Sequence, residues 1–245
     1  MRLRGGWKDV NKKGAAGMSC VKRGRNENMS DYEEILELFQ VAQPKGHSLE
    51  EVEAAEERAG KMPAELRKFF LRFGKSPELR GLQDELVLPD CVHSCLEGEY
   101  VIFFVENQGV CMAGVKKSDA CIPDPPVYVS VGEGEWKKSA DSVSEFLKGM
   151  YGYQASICLP YNTEEFYWIT HEEKELIERK FTKRPEKIKN WLYEWDIIVF
   201  GDNNEGRIAL MENGGEDVIQ MQYAANTEKE LQRMREYLES VGEPI

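Results

Sequence analysis

The stretch MPAELRKFFLRFG, residues 62–74, is the part of the sequence that decides the fold. Pro63 stands at a position typical of a helix start, and Gly74 at one typical of a helix end. Between them the apolar side chains recur at the spacing of one helix face, at Leu66, Phe69, Phe70 and Phe73. The stretch therefore predicts an amphipathic helix whose phenylalanine-rich face packs on a core.

Further helix starts are marked by a Ser or Thr that is followed three residues later by a Glu. In this capping box, each of the two side chains accepts a hydrogen bond from the backbone N–H of the other residue. The pattern occurs at Ser30/Glu33, Ser48/Glu51, Ser142/Glu145, Thr170/Glu173 and Thr227/Glu230. We predict a helix after each pair. One more is predicted over 186–195, where Ile188, Trp191, Leu192 and Trp195 share a helical stripe.

Strands are predicted between these helices. Residues 100–105 form an unbroken apolar run, which is typical of a strand buried on both faces, and residues 106–109 supply turn chemistry before a second strand. More strands are expected near 127–131, at Trp136, and at about 196–200, 207–211 and 217–223. The pattern predicts an α+β fold with helices packed on a mostly antiparallel sheet.

Three regions are expected along the chain. Residues 1–28 are basic and poor in apolar side chains, so we predict a disordered tail; it is a nucleic-acid-binding arm, a solvated tail, or a segment upstream of a true start at Met29. Residues 29–155 are predicted to form the main domain, and residues 156–245 a C-terminal α/β extension. The extension repeats the strand and turn pattern of 101–109 at 197–206, which indicates either a partial internal repeat or shared hairpin chemistry.

Charge is unevenly distributed along the sequence. The whole chain carries −12, while residues 1–28 hold eight Lys or Arg against Asp9 and Glu27, so the rest carries −18. Nucleic-acid binding by this acidic body is not expected, because phosphate affinity depends mostly on Lys and Arg. The acidity favours either a basic protein partner or simple solubility. No stretch has the character of a signal peptide or membrane span, so we expect a cytoplasmic protein that binds no membrane and keeps its six cysteines reduced.

Few residues indicate chemistry. Cys91, His93 and Cys95 lie close together, but three ligands at this spacing do not match a structural zinc site, so no metal is predicted. No phosphate-binding glycine loop or nucleophile elbow occurs, and neither His47 nor His171 has a catalytic partner that the sequence identifies. We therefore expect a non-catalytic protein without a cofactor.

Three segments in the same order resemble the SUKH superfamily. They are the phenylalanine helix at 62–74, the strand and turn VIFFVENQGV at 101–110, and DPPV at 124–127. The resemblance covers about residues 29–155. The chain departs from the family pattern at 111–113, where Cys-Met-Ala follows the hairpin glycine, and the region after 155 has no recognised counterpart.

The resemblance implies a binding role without catalysis. Bacterial members of the superfamily resemble immunity proteins that neutralise polymorphic toxins, often nucleases or deaminases, and fungal relatives regulate cell-wall synthesis. It implies a protein partner, here a toxin domain, bound by an acidic face whose candidate residues are Glu106, Asn107, Gln108, Asp124, Pro125 and Pro126. Occlusion of the toxin's active site is one mechanism, and masking of a distant surface is another. A regulatory scaffold that recruits a protein partner is the alternative function. Turn and strand-entry chemistry are alternative roles for these six residues.

Overall fold

Two antiparallel sheets with a long helix between them form the protein. The computed structural model describes residues 32–89, 98–130, 134–163, 165–215 and 217–244. The expected α+β class, with helices packed on antiparallel sheet, is confirmed. The predicted tail at 1–28, Ser30 and the Cys91, His93 and Cys95 group lie outside the described residues.

Seven α-helices occur in the described part of the chain. They are α1 Glu33–Leu38, α2 Leu49–Ala59, α3 Ala64–Phe73, α4 Val143–Cys158, α5 His171–Lys180, α6 Trp191–Glu194 and α7 Glu228–Leu238. Short 3-10 turns span Pro77–Leu79 and Lys117–Asp119. The four capping pairs within the described residues all lie at helix starts, and Ser48/Glu51 and Thr170/Glu173 form both reciprocal hydrogen bonds. At Ser142 and Thr227 the hydroxyl alone forms its half of the box.

Twelve strands of the described residues form the two sheets. The first sheet is a meander of β1 Glu85–Leu86, β2 Tyr100–Val105, β3 Met112–Lys116, β4 Val127–Ser130 and β5 Trp136–Ala140. The second sheet contains β6 Tyr161–Asn162, β7 Tyr167–Thr170, β8 Lys183–Asn190, β9 Trp195–Phe200, β10 Gly206–Glu212, β11 Val218–Ala225 and β12 Glu243–Pro244. Its strand order is β12-β7-β11-β10-β9-β8, and β6 also pairs with β11.

The phenylalanine helix is confirmed as α3. Its four predicted core residues are all buried, and Phe69 stacks on Tyr151 of α4 with ring centroids 5.8 Å apart. The buried run at 100–105 is confirmed as β2, an interior strand of the first sheet. Local sequence pattern was sufficient here because the apolar residues match one element period and one burial face.

The helix predicted over 186–195 is wrong. Residues 183–190 form the edge strand β8, in which Ile188 pairs with Ile197 of β9, and only the four residues of α6 at 191–194 are helical. Asn190 has a positive φ of 59°, which ends the strand. The stripe of apolar residues fitted a helix, but the neighbouring strand β9 supplies a ladder partner that the local pattern does not reveal.

Helix α4 lies between the sheets and is buried along most of its length. Phe146 contacts Phe103 and Phe104 of the first sheet, with ring centroids 5.6 and 5.7 Å away. On the other side, Gly149 and Gly152 lie against the second sheet, where an added Cβ would come within 2.8 Å of Ile188 and 3.1 Å of Val199. Because glycine has no side chain, the backbone of α4 can pack directly against the side chains of the second sheet at these two positions.

Helix α1 is tied to the second sheet by a cluster of charged side chains. Glu34 accepts hydrogen bonds from both Arg184 and Arg207. Arg207 is 2% exposed, and it also donates to the carbonyl oxygens of Asn203 and Gly206. The buried guanidinium is thus paired with a carboxylate and with backbone acceptors, which offsets its desolvation. The cluster joins the beginning of the described chain to its last third.

The predicted division after residue 155 falls within α4, which packs on both sheets. One continuous group of buried residues runs from Tyr32 in the first part of the chain to Met211 in the second. A second core lies on the far face of the second sheet, under α5 and α7. The division into two domains stays a prediction. Within the described residues, no helix is both long and apolar enough to cross a membrane.

Replacing Gly149 by Val should destabilise the fold. The new side chain would collide with Ile188, because a Cβ alone already comes within 2.8 Å of it. Overpacking of this kind costs about 1–3 kcal/mol, which chemical denaturation would detect as a lower midpoint. Gly214→Val is the matched control, since no heavy atom lies within 4 Å of a Cβ built there. Equal stability of the two variants would show that the close approach of α4 is not important.

Candidate functional site

A cleft of about 420 Å³ lies between the two sheets. One wall is the β2–β3 turn, the end of α4 forms another, and strands β9, β10 and β11 contribute the floor. Val110 and Phe166 are large apolar side chains at this cleft, and they are 48% and 44% exposed. An open cleft with apolar side chains exposed at it is typical of a binding surface.

The β2–β3 turn is held by its own glutamate. Glu106 is buried, and its Oε2 accepts hydrogen bonds from the backbone N–H groups of Gln108 and Val110 at 2.9 and 3.2 Å. Gly109, with a φ of 72°, donates from its backbone to the Glu106 carbonyl. Asn107 and Gln108 are exposed. The candidate residues Glu106, Asn107 and Gln108 therefore form one rigid turn that lines the cleft.

Asp124, Pro125 and Pro126 lie elsewhere. The register of β3 and β4 pairs Met112 with Ser130 beside the turn, so residues 124–126 precede β4 at the opposite end of the sheet. Asp124 accepts hydrogen bonds from the backbone N–H and the hydroxyl of Ser144, in the first turn of α4. The structure thus does not bring the two predicted segments into one site. In the second segment Asp124 stabilises the start of α4, and Pro125 and Pro126 precede strand β4.

A strained segment that includes α6 forms another wall of the cleft, next to the hairpin. Three residues that are not glycine have positive φ within five positions: 59° at Asn190, 38° at Leu192 and 69° at Glu194. Trp191 anchors this segment in the first core, with its ring 5.9 Å from that of Phe104. Leu192 and Trp195 line the cleft. Backbone strain of this kind is often found at functional sites.

A buried aspartate lies behind the hairpin. Gln154 of α4 holds the backbone of Asp84 through two hydrogen bonds, at 3.2 Å to its N–H and 2.8 Å to its carbonyl. The Asp84 carboxylate faces the backbone N–H of Asn107 and the indole of Trp191, but neither reaches ordinary hydrogen-bond geometry. Burial raises the pKa of Asp84 to about 7, and the nearby charge of Glu106 adds to the increase.

Unpartnered polar atoms concentrate around the cleft. Nine buried side-chain nitrogen or oxygen atoms have no hydrogen-bond partner within the described parts of the chain, and five belong to Asp84, Trp191 and Gln222. Gln222 lines the cleft and is 3% exposed, and both its amide atoms are among the five. Native folds retain few such atoms, because each costs about 1–3 kcal/mol. Their concentration here makes the cleft the candidate functional site of the described residues.

Sequence reasoning identified the hairpin but missed the rest of this site. Gln222 lies in a strand whose apolar and polar residues alternate, and in such a pattern a polar residue predicts exposure to water. Asp84 is one of many acidic residues, and the sequence does not distinguish it. The apolar spacing over 186–195 predicts a helix that includes Trp191. The combination of Gly81, Gln83 and Asp84 before a buried strand was a signal for a turn, but not for a buried carboxylate.

Metal and thiol chemistry find little support in the described residues. No group of three or more His, Cys, Asp or Glu side chains among them is arranged to hold a metal ion. Cys111 is buried close to the cleft wall, and burial raises the pKa of its thiol to about 12. A thiol with so high a pKa stays protonated at neutral pH and is a poor nucleophile.

Comparison of the chain with protein-family models, with curated proteins and with solved structures finds no match. The resemblance to the SUKH superfamily therefore stays a prediction, and the geometry of the cleft is the basis for inferring function.

Replacing Asp84 by Asn should stabilise the protein at pH 8. The carboxyl has a raised pKa of about 7 in the fold and an ordinary value of 3.8 when unfolded, so folding becomes less favourable as pH rises between these values. Asparagine carries no charge and so avoids this loss in the free energy of unfolding, which is on the order of 2–4 kcal/mol. Denaturant titrations at pH 4 and pH 8 measure it.

The gain should be large at pH 8 and small at pH 4. Glu85→Gln, one residue away but exposed, is the control and should change stability by less than about 0.5 kcal/mol at either pH. An Asp84→Asn variant that is equally affected at both pH values would mean that the carboxyl does not titrate as inferred.

Proposed function

We propose that this chain is a non-catalytic immunity protein that binds and neutralises a polymorphic toxin acting in the cytoplasm, such as a nuclease or a deaminase. The observation that carries the proposal is the cleft, with its rigid hairpin turn and its unpartnered polar groups. The hairpin belongs to the segments that resemble the SUKH superfamily. The contact surface in this proposal is the turn at 106–110 and the cleft beside it.

Exposed apolar side chains support a protein partner. Val110 and Phe166 present apolar surface next to the polar turn, a combination typical of an interface with an apolar centre and a polar rim. The turn is preorganised by Glu106, so binding would not require it to lose further conformational freedom. A rigid turn of this type could enter a concave surface on a toxin.

Charge also supports this type of partner. Residues 29–245 carry −18, and nucleic-acid enzymes present basic surfaces to their substrates. An acidic inhibitor is attracted to such a surface, which raises the association rate and makes it sensitive to salt. The same charge would disfavour binding of the folded body to nucleic acid.

The proposal is tested with the toxin domain encoded beside this gene. Val110→Arg should weaken binding of that domain at least tenfold, because it places a positive charge and a larger side chain at the cleft. Calorimetric titration of the purified proteins measures the affinity, and co-expression measures rescue of growth. The melting temperature should stay unchanged because Val110 is 48% exposed.

Ile122→Arg is the matched control. Ile122 is also an exposed apolar residue, at 43%, but it lies beside the Asp124–Pro126 segment at the other end of the first sheet. Tight binding lost with Ile122→Arg and retained with Val110→Arg would move the interface to that segment. Absence of both binding and rescue by the unchanged protein would contradict the immunity function and favour the regulatory scaffold.

A further inference from the structure

The cleft contains an amide that lacks its hydrogen-bond partners. Gln222 is 3% exposed, and neither its oxygen nor its nitrogen has a partner within the described residues. The Tyr153 hydroxyl is its polar neighbour, but no hydrogen bond of ordinary geometry joins them. A buried amide oxygen that faces a cleft and accepts nothing is destabilising unless a ligand donates to it. The amide oxygen of Gln222 is therefore a candidate acceptor for a donor from outside the chain.

The charge of the cleft is negative. Glu106 contributes the one carboxylate among the described residues that line it, and no lysine or arginine is among them. Oε2 of Glu106 accepts the two backbone hydrogen bonds of the turn, and Oε1 is not used in them. The Asp84 carboxylate lies behind Glu106 and has no hydrogen-bond partner of ordinary geometry. The Glu106 carboxylate, with no lysine or arginine beside it among the described residues that line the cleft, favours a ligand that carries positive charge.

Aromatic side chains form a large part of the remaining lining. Tyr153, Phe166, Trp191 and Trp195 all line the cleft. Aromatic faces attract cations, and a flat guanidinium also stacks on them, whereas an ammonium is a strongly hydrated point charge. A guanidinium presents several N–H donors in one plane and accepts nothing. Such a group matches a cleft with a carboxylate oxygen that the turn does not use, an amide oxygen without a partner within the described residues, and aromatic side chains.

We infer that the cleft is a receptor for an arginine side chain of the protein partner. This inference rests on the proposed function and names the chemistry that the partner inserts. The guanidinium would donate to Oε1 of Glu106 and to the amide oxygen of Gln222, with an aromatic side chain against its plane. The amide nitrogen of Gln222 would then donate to the Tyr153 hydroxyl or to a carbonyl of the inserted segment.

The inference is tested without the toxin. The full chain is titrated with Nα-acetyl-arginine methylamide, and tryptophan fluorescence reports binding because Trp191 and Trp195 line the cleft. We expect saturable binding at millimolar concentration. The citrulline analogue has almost the same shape without the charge and should bind at least tenfold more weakly. The lysine analogue should also bind more weakly, by at least threefold.

Two substitutions locate the site. Glu106→Gln keeps an oxygen for the hydrogen bonds of the turn but removes the charge, and Gln222→Met keeps the side-chain length but removes the amide. Each should weaken arginine binding at least fivefold. Glu57→Gln, on the exposed face of α2, removes one negative charge far from the cleft and should leave binding unchanged. Circular dichroism and melting curves identify any variant that fails to fold, and Gln222→Met then replaces Glu106→Gln as the deciding variant.

Equal binding of the arginine and citrulline analogues, or an affinity that neither substitution changes, would overturn the inference. An equally tight lysine analogue would overturn the preference for a guanidinium. Failure of this inference can be distinguished from failure of the proposed function. Toxin binding without arginine binding would support the immunity function and contradict the arginine receptor. Arginine binding without toxin binding or rescue would support the arginine receptor and contradict the immunity function.

Discussion

The close packing of α4 between the two sheets is the constraint on which the rest of the structure depends. Phe146 on one side of the helix contacts the first sheet, and Gly149 and Gly152 on the other side bring it against the second. Because one helix buries both sheets, the first and last thirds of the chain share a continuous apolar core. The ion cluster of Glu34, Arg184 and Arg207 adds a polar connection between the same two parts.

The cleft is a consequence of that arrangement. Helix α4 covers the face of the second sheet that bears Ile188 and Val199, and strand residues further along this face, such as Met211 and Gln222, remain beside an open space. The β2–β3 turn of the first sheet reaches the same space from the other side. The side chains of Asp84 and Gln222, which have no hydrogen-bond partner within the described residues, lie close to this space. The candidate binding site therefore lies at the junction, where packing leaves polar groups that have no partner within the described residues.

The two hairpins that resemble each other in sequence have different surroundings. The turn at 202–206 is covered by α1, since Asn204 donates to Glu37 at 2.6 Å, and Arg207 beside it is buried. The turn at 106–110 lines a cleft instead and carries exposed Asn107 and Gln108. Similar turn chemistry thus serves a structural contact in one half of the chain and a candidate binding surface in the other. Neighbouring elements, not the turn residues, make this difference.

The sequence by itself determined the α+β class, the phenylalanine helix, the buried strand β2 and the helix starts at Ser48, Ser142, Thr170 and Thr227. These features follow from local periodicity and capping, which act over a few residues. Tertiary structure decided that 183–190 is a strand, because β9 pairs with it, and that Asp124–Pro126 lies far from the hairpin. It also decided the burial of Asp84, Trp191 and Gln222 around one cleft. Long-range contacts bring these three residues together, and no local pattern encodes contacts between residues as far apart in the sequence as these.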